Sequence, residues 1–175
     1  MSINLAEATD TKTQTCCFTG HRKIPMLDRM RISRQLDTTI QKLVDEGICY
    51  FGAGGALGFD TMAAQAVLRA RRRNPQIKLI LVLPCRTQTL GWKESDVATY
   101  EAIKKAADKY KYISDEYTRS CMFERNRHLV DNSFVCVAYL TESSGGTAYT
   151  VNYAKQKGVR VINLAEKTMA TKELL

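Results

Sequence analysis

At 175 residues, 45% hydrophobic and 25% charged, the chain has the size and apolar content of one domain able to bury a core. No stretch approaches the roughly 18 uncharged apolar residues of a membrane span, and the polar start at 1–14 lacks a signal-peptide core. A cytoplasmic protein with no membrane segment is therefore expected, and its net charge of +8 favours anionic partners: nucleic acid, an acidic surface or a phosphorylated small molecule.

Residues 1–14 are expected to form a disordered leader. The apolar run 15–19, closed by Gly20, is the first buried strand. Over 28–46, Ile32, Leu36, Ile40, Leu43 and Val44 recur at helical spacing, and Gly47 follows as a C-terminal cap. A second strand at 48–51 enters the glycine-rich loop 52–58. The helix beyond it carries Phe59, Met62, Ala63, Ala66, Val67 and Ala70 on its inner face. It ends in Arg69 and Arg71–Arg73, where cations complement the helix dipole.

The run 77–83, ended by Pro84, is near-continuously apolar without alternation, as in a parallel strand covered on both faces. A polar connection with the only tryptophan, Trp92, leads to a helix over 96–108 and a weak strand at 111–113. A helix over 118–130, a strong strand at 134–140, a helix over 145–157 capped by Gly158 and a strand at 159–162 complete the series. Strict alternation of strand and helix predicts an α/β, Rossmann-like doubly wound fold: a mainly parallel sheet with helices on both faces. One nucleotide-binding domain is expected over 15–164, followed by a C-terminal tail at 165–175.

The six cysteines show no CxxC spacing and read as small core residues. With only His21 and His128 as histidines, no metal site is expected.

In a doubly wound sheet, ligands bind where strands end and helices begin. The segment Ser143-Ser144-Gly145-Gly146-Thr147 lies between a strong strand and a helix. Its glycines let the backbone approach an anion, N–H groups at the helix start point outward, and Ser144 and Thr147 add hydroxyls. The same residues also fit a plain turn in which Ser144 caps the helix.

Gly52, Gly54, Gly55 and Gly58 repeat this arrangement after the second strand, with Asp60 placed to accept from a ribose hydroxyl or to brace the loop. Neither a first-strand GxGxxG fingerprint nor a Walker lysine is present, which argues against dehydrogenase and P-loop NTPase readings. Thr19-Gly20-His21-Arg22-Lys23 supplies cationic side chains after the first strand. His21 is a candidate acid or base without an evident carboxylate partner. On the helix before the fifth strand, Arg125 and Asn126 face the strand ends, whereas Arg127 and His128 face water.

Taken in order, Phe18-Thr19-Gly20-His21-Arg22, Gly54-Gly55-Ala56-Leu57-Gly58-Phe59-Asp60, Pro84 with Gln88 and Trp92-Lys93-Glu94, Arg125-Asn126 with Val130-Asp131, and Ser144-Gly145-Gly146-Thr147 form one set. This set resembles the SLOG superfamily, which joins the SMF/DprA proteins and the LOG phosphoribohydrolases, and within it the YpsA-like branch. The resemblance covers about 15–164 and implies a nucleotide-type pocket, self-association and three competing roles.

A LOG enzyme cleaves a nucleoside monophosphate with an arginine, matched by Arg125, and a glutamate, whose place is taken by Thr150. A hydroxyl cannot replace a carboxylate that stabilises an oxocarbenium-like state or activates water. A DprA-like role would bind single-stranded DNA, which the basic balance favours. No row of exposed aromatics for base stacking is evident in the sequence.

The favoured expectation is a binder of ADP-ribose, a cyclic ADP-ribose derivative or NAD, a sensor or sequestering protein requiring no cofactor. In it Gly145, Gly146 and Thr147 hold a phosphate, assisted by Arg22 and Arg125, and Gly54, Gly55 and Asp60 border the sugar or a second phosphate. Trp92 covers a base, or else packs in the core or at a dimer contact.

Overall fold

The computed structural model describes residues 11–166. Among them, β1 (Thr15–Gly20), β2 (Tyr50–Ala53), β3 (Lys78–Cys85), β4 (Lys109–Ser114), β5 (Val135–Tyr139) and β6 (Arg160–Asn163) form one sheet. They alternate with α1 (Met26–Asp45), α2 (Phe59–Arg71), α3 (Glu94–Ala106), α4 (Cys121–Asp131) and α5 (Gly146–Gln156).

Every strand pair is parallel, in the order β4-β3-β2-β1-β5-β6. The chain winds outward from β1 to β4 and then returns to add β5 and β6 on the other side of β1. Right-handed crossovers in opposite directions place helices on opposite faces. Accordingly, α1 packs on α2 and α2 on α3, while α4 packs on α5.

Side-chain alternation divides the core in the same way. Phe18, Phe51, Leu79, Leu81, Leu83 and Val137 join Ile32, Leu36 and Ile40 of α1. On the opposite face, Cys17, Val82 and Cys136 meet Leu129 and Val130 of α4 and Ala154 of α5. The cysteines are free, and all but the half-buried Cys49 are buried, as small apolar residues should be.

Several boundaries differ from expectation for local reasons. The run at 48–51 does not begin a strand at once, because the Ile48 N–H donates back to Leu43 O at the end of α1. Pro84 does not end β3: pairing with β2 stops at Leu81, so its missing N–H interrupts no ladder bond on that side. Thr118 precedes α4 instead of opening it, its Oγ1 accepting from the Cys121 N–H at 3.0 Å.

The expected leader reaches into the described residues, where 11–13 form a helical turn and Gln14 O accepts from the N–H groups of Cys49 and Tyr50. Residues 1–10 and 167–175, with most of the expected tail, lie outside the described residues. The basic end of α2 is partly tied down, Arg69 pairing with Asp37 at 2.8 Å and Arg71 with Asp108 at 2.7 Å.

Candidate functional site

Strand order reverses between β1 and β5, and at their carboxyl ends the connections diverge to opposite faces and leave a crevice. A cleft of about 360 Å³ opens there. Thr19, Gly20, His21 and Arg22 form one wall, Asp60 and Ala56 the floor, Met122, Arg125 and Asn126 a second wall, and Gly146 with Thr147 the far rim.

The far rim is the start of α5. Gly145 occupies the N-cap position with φ +96°, a left-handed backbone suited to glycine, and no side chain caps the N–H groups of the first turn. Ser144 therefore does not cap this helix, which removes the capping part of the plain-turn reading. A Cβ placed on Gly145 or Gly146 would meet nothing within 4 Å. Open space thus faces a helix start whose N–H groups and dipole favour an anion.

The loop after β2 looks alike in sequence and is built differently. A Cβ on Gly54 would strike the Arg125 guanidinium at 2.2 Å, and one on Gly55 would lie 2.6 Å from Leu83. At Gly58, φ is +76° and a Cβ would fall 2.2 Å from the Arg22 carbonyl oxygen. Protein fills the positions the missing side chains vacate. The glycines of this turn dock two loops and receive Arg125, and of the loop and the helix start only Ala56 and Asp60 line the cleft. The docking is sealed by the Phe59 N–H donating to His21 O at 3.1 Å.

Arg125 is the tether between the walls. Only 5% exposed, it donates through Nη1 to the Gly54 carbonyl and through Nε to Asn126 Oδ1 at 2.6 Å. Gln88, also buried, donates to the same Gly54 carbonyl at 3.2 Å. Burial lowers the Arg125 pKa, against the pull of the nearby Asp60 carboxylate. Burial likewise raises the Asp60 carboxyl, opposed by Arg125, by the Ala56 N–H donating at 3.3 Å and by Arg22. Arg22 itself is exposed. His21 Nε2 accepts the Thr141 N–H at 2.9 Å and so ties the first loop to the segment leading into α5.

Nine predicted site residues thus meet in the cleft: Thr19, Gly20, His21, Arg22, Asp60, Arg125, Asn126, Gly146 and Thr147. Others do not line it. Gly52 lies within β2, where a Cβ would press on Leu129 at 2.9 Å, and Pro84 is buried in β3. Gly54 and Gly55 stand behind the wall, and Ser144 is exposed above the rim. Trp92 is half-buried and packs edge to face on Tyr100 at 5.7 Å against the main core. Phe18, Ala56 and Met122 line the cleft without having been expected among the ligand-binding residues. Phe18 and Ala56 lie within quoted motifs, and Met122 precedes Arg125-Asn126 by three residues.

A doubly wound parallel sheet with an anion-suited cleft at its switch point defines a Rossmann-like domain of the nucleotide-binding type of architecture. The chain belongs to the YspA SLOG family, whose model (YpsA) matches residues 16–172. The SPbeta prophage-derived protein YoqJ of Bacillus subtilis is 29% identical over 140 residues, 73% of this chain and 82% of that protein.

Among solved structures, DNA processing protein A from Helicobacter pylori, described for its single-stranded DNA binding mode, superposes with a TM-score of 0.61 at 17% identity. That match covers 89% of this chain and 66% of the other. The Streptococcus pneumoniae DNA processing protein A gives a TM-score of 0.61 at 16% identity, covering 90% of this chain and 51% of that one. The chain spans less than two thirds of both, and at this identity the likeness concerns the fold. Among the described residues, no helix is long and apolar enough to cross a membrane.

Proposed function

We propose that this protein binds a phosphorylated nucleotide-type small molecule, such as ADP-ribose, a cyclic ADP-ribose derivative or NAD, and acts in the cytoplasm as a sensor or sequestering protein. The observation that carries this reading is the uncapped, unobstructed start of α5, facing a cleft that also contains Arg22 and Arg125. Phosphate held by the first-turn N–H groups would place the rest of a nucleotide against Thr19–Arg22 and Asn126. Association into a homo-oligomer belongs to the same reading, by resemblance to SLOG relatives.

Binding is favoured over LOG-type hydrolysis by Thr150. It stands where the glutamate of the LOG pattern would be, is 2% exposed, and donates its hydroxyl to Gly146 O at 2.8 Å. No carboxylate reaches the cleft from that position. Single-stranded DNA binding is the second reading, supported by the fold shared with DNA processing protein A and by the net charge of +8.

Calorimetric and thermal-shift titration with AMP, ADP-ribose, cyclic ADP-ribose isomers, NAD and a short single-stranded DNA separates these roles, with products analysed by chromatography. A ligand that binds the folded state raises its melting temperature by an amount set by concentration over Kd. Stabilisation by an ADP-ribose-like ligand without turnover is the expected result. Release of free base from AMP overturns it, and tight oligonucleotide binding with a steep salt dependence transfers the assignment to DNA.

A further inference from the structure

Beside the cleft, two aromatic side chains face solvent across the groove between α4 and α5. Phe123 is 41% exposed and Tyr149 is 37% exposed, their rings edge to face with centroids 4.9 Å apart. Tyr153 extends the row, stacked at 6.3 Å from Tyr149, and its hydroxyl donates to Asp131 at 2.8 Å. The row corrects the expectation that no exposed aromatics are grouped on this chain.

Its place follows from topology. Both helices lead into parallel strands, so their first turns stand together at the carboxyl end of the sheet, at the cleft. Phe123 adjoins Met122 and lies one turn before Asn126, and both of these line the cleft. Tyr149 follows Gly146 by three residues, about 4.5 Å along the axis at 1.5 Å per residue. Helical side chains lean toward the helix N-terminus, which carries the Tyr149 ring back toward the turn that begins at Gly146.

We propose that Phe123 and Tyr149 are a base-stacking platform, on which the heteroaromatic base of a nucleotide lies while its phosphate rests on the first turn of α5. The proposal rests on the phosphate site of the preceding section and names what the ligand carries beyond it. Aromatic faces stack on any base, and an exposed edge-to-face pair continuous with a polar cleft offers such a face at little conformational cost. A second copy of the chain fits this patch less well. Three aromatics bury at most about 150–250 Å² each and are already more than half covered here, whereas a stable dimer buries about 800 Å² per partner.

The test compares ADP-ribose and AMP, which carry the base, with ribose 5-phosphate, which does not, by calorimetry on the full chain and on Phe123→Ala, Tyr149→Ala and Tyr149→Phe. Folding of each variant is checked by circular dichroism. The base-bearing ligands should bind the unaltered protein roughly ten- to a hundredfold more tightly than ribose 5-phosphate. Either alanine variant should lose most of that advantage with ribose 5-phosphate affinity unchanged, and Tyr149→Phe should keep it.

Unchanged affinity for AMP and ADP-ribose in the alanine variants overturns the platform and leaves the phosphate site standing. Failure of all three ligands to bind the unaltered protein overturns both. A fall in assembly mass by light scattering in the alanine variants, with nucleotide affinity intact, assigns the row to a second copy and overturns the platform.

Discussion

Exchanging Gly58 and Gly146 for alanine, one at a time, separates a glycine that the fold requires from one that the site requires. At Gly58 the backbone has φ +76° and ψ −116°, and the added Cβ would sit 2.2 Å from Arg22 O and 2.7 Å from His21 O. Both atoms are main chain, so no rotamer change relieves the clash. A non-glycine residue held at such a φ costs about 1–3 kcal/mol. Parting the loops also sacrifices the Phe59 N–H bond to His21 O, worth about 1 kcal/mol. A loss of about 3 kcal/mol lowers the melting temperature of a domain this size by about 6–12 °C. Gly146 is the first helical residue of α5, its φ is not positive, and its Cβ would meet nothing. Alanine there favours the helix by up to about 1 kcal/mol, so stability should hold or rise slightly. The same methyl group would stand where a phosphate must come close, so the upward thermal shift produced by ADP-ribose should shrink. Differential scanning calorimetry with and without ADP-ribose reads both effects. A Gly58→Ala protein within about 0.5 kcal/mol of the parent would refute the docking role. An undiminished ligand shift in Gly146→Ala would remove the α5 start from the site.

Asp60→Asn should cost about 2–3 kcal/mol at neutral pH, because it leaves the buried Arg125 guanidinium without its nearest counter-charge. Adding Arg125→Met should recover part of the loss, and strictly additive losses in urea titrations would show the two groups to be independent. At Asp108, burial pushes the carboxyl up, but the Leu79 N–H at 2.8 Å, Arg71 at 2.7 Å and Lys78 outweigh it and hold the pKa below the usual carboxylate value. Its contribution to stability is present above the unfolded value of about 3.9 and is lost as pH falls through the lower folded one. Asp108→Asn should therefore flatten the decline of the urea midpoint below about pH 4, and a decline as steep as the parent's would refute the assignment.

Order, orientation and layering of the elements were legible from residues such as Ile77–Leu83, whose near-continuous apolar run, interrupted only by Lys78, fits a strand covered on both faces. Element ends were less legible, because Pro84 and Thr118 act through partners that sequence does not display. The cleft was legible as far as topology alone gathers residues: Thr19–Arg22, Asp60, Arg125, Asn126, Gly146 and Thr147 all sit where strands end or helices begin. What each glycine does was not. Gly54 and Gly146 both stand in strand-to-helix connections rich in glycine, and only the object at the missing Cβ, an arginine in one case and open space in the other, tells them apart. Phe123 and Tyr149 escaped notice for a similar reason. Tyr149 and Tyr153 stand four residues apart on α5, but Phe123 is alone on α4, and only the return crossover brings the helices side by side.

That return crossover also changes what Arg125 contributes. To carry the chain from β4 back to β5, α4 must pass over the sheet, where it packs on β3, β4 and β1 and presses Arg125 against the loop after β2. Two of the guanidinium's donor atoms are taken by Gly54 O and Asn126 Oδ1, and its charge is partly balanced by Asp60. An arginine suits this position because its planar fork binds several acceptors at once, which a lysine ammonium cannot match. A cation so occupied attracts an incoming phosphate less than its charge suggests, whereas Arg22 is exposed and Gly146 and Thr147 begin an uncapped helix. On the proposed binding mode the anion would therefore be held chiefly by α5 and Arg22, with Arg125 keeping the opposite wall in register so that the first turns of α4 and α5 meet at one cleft.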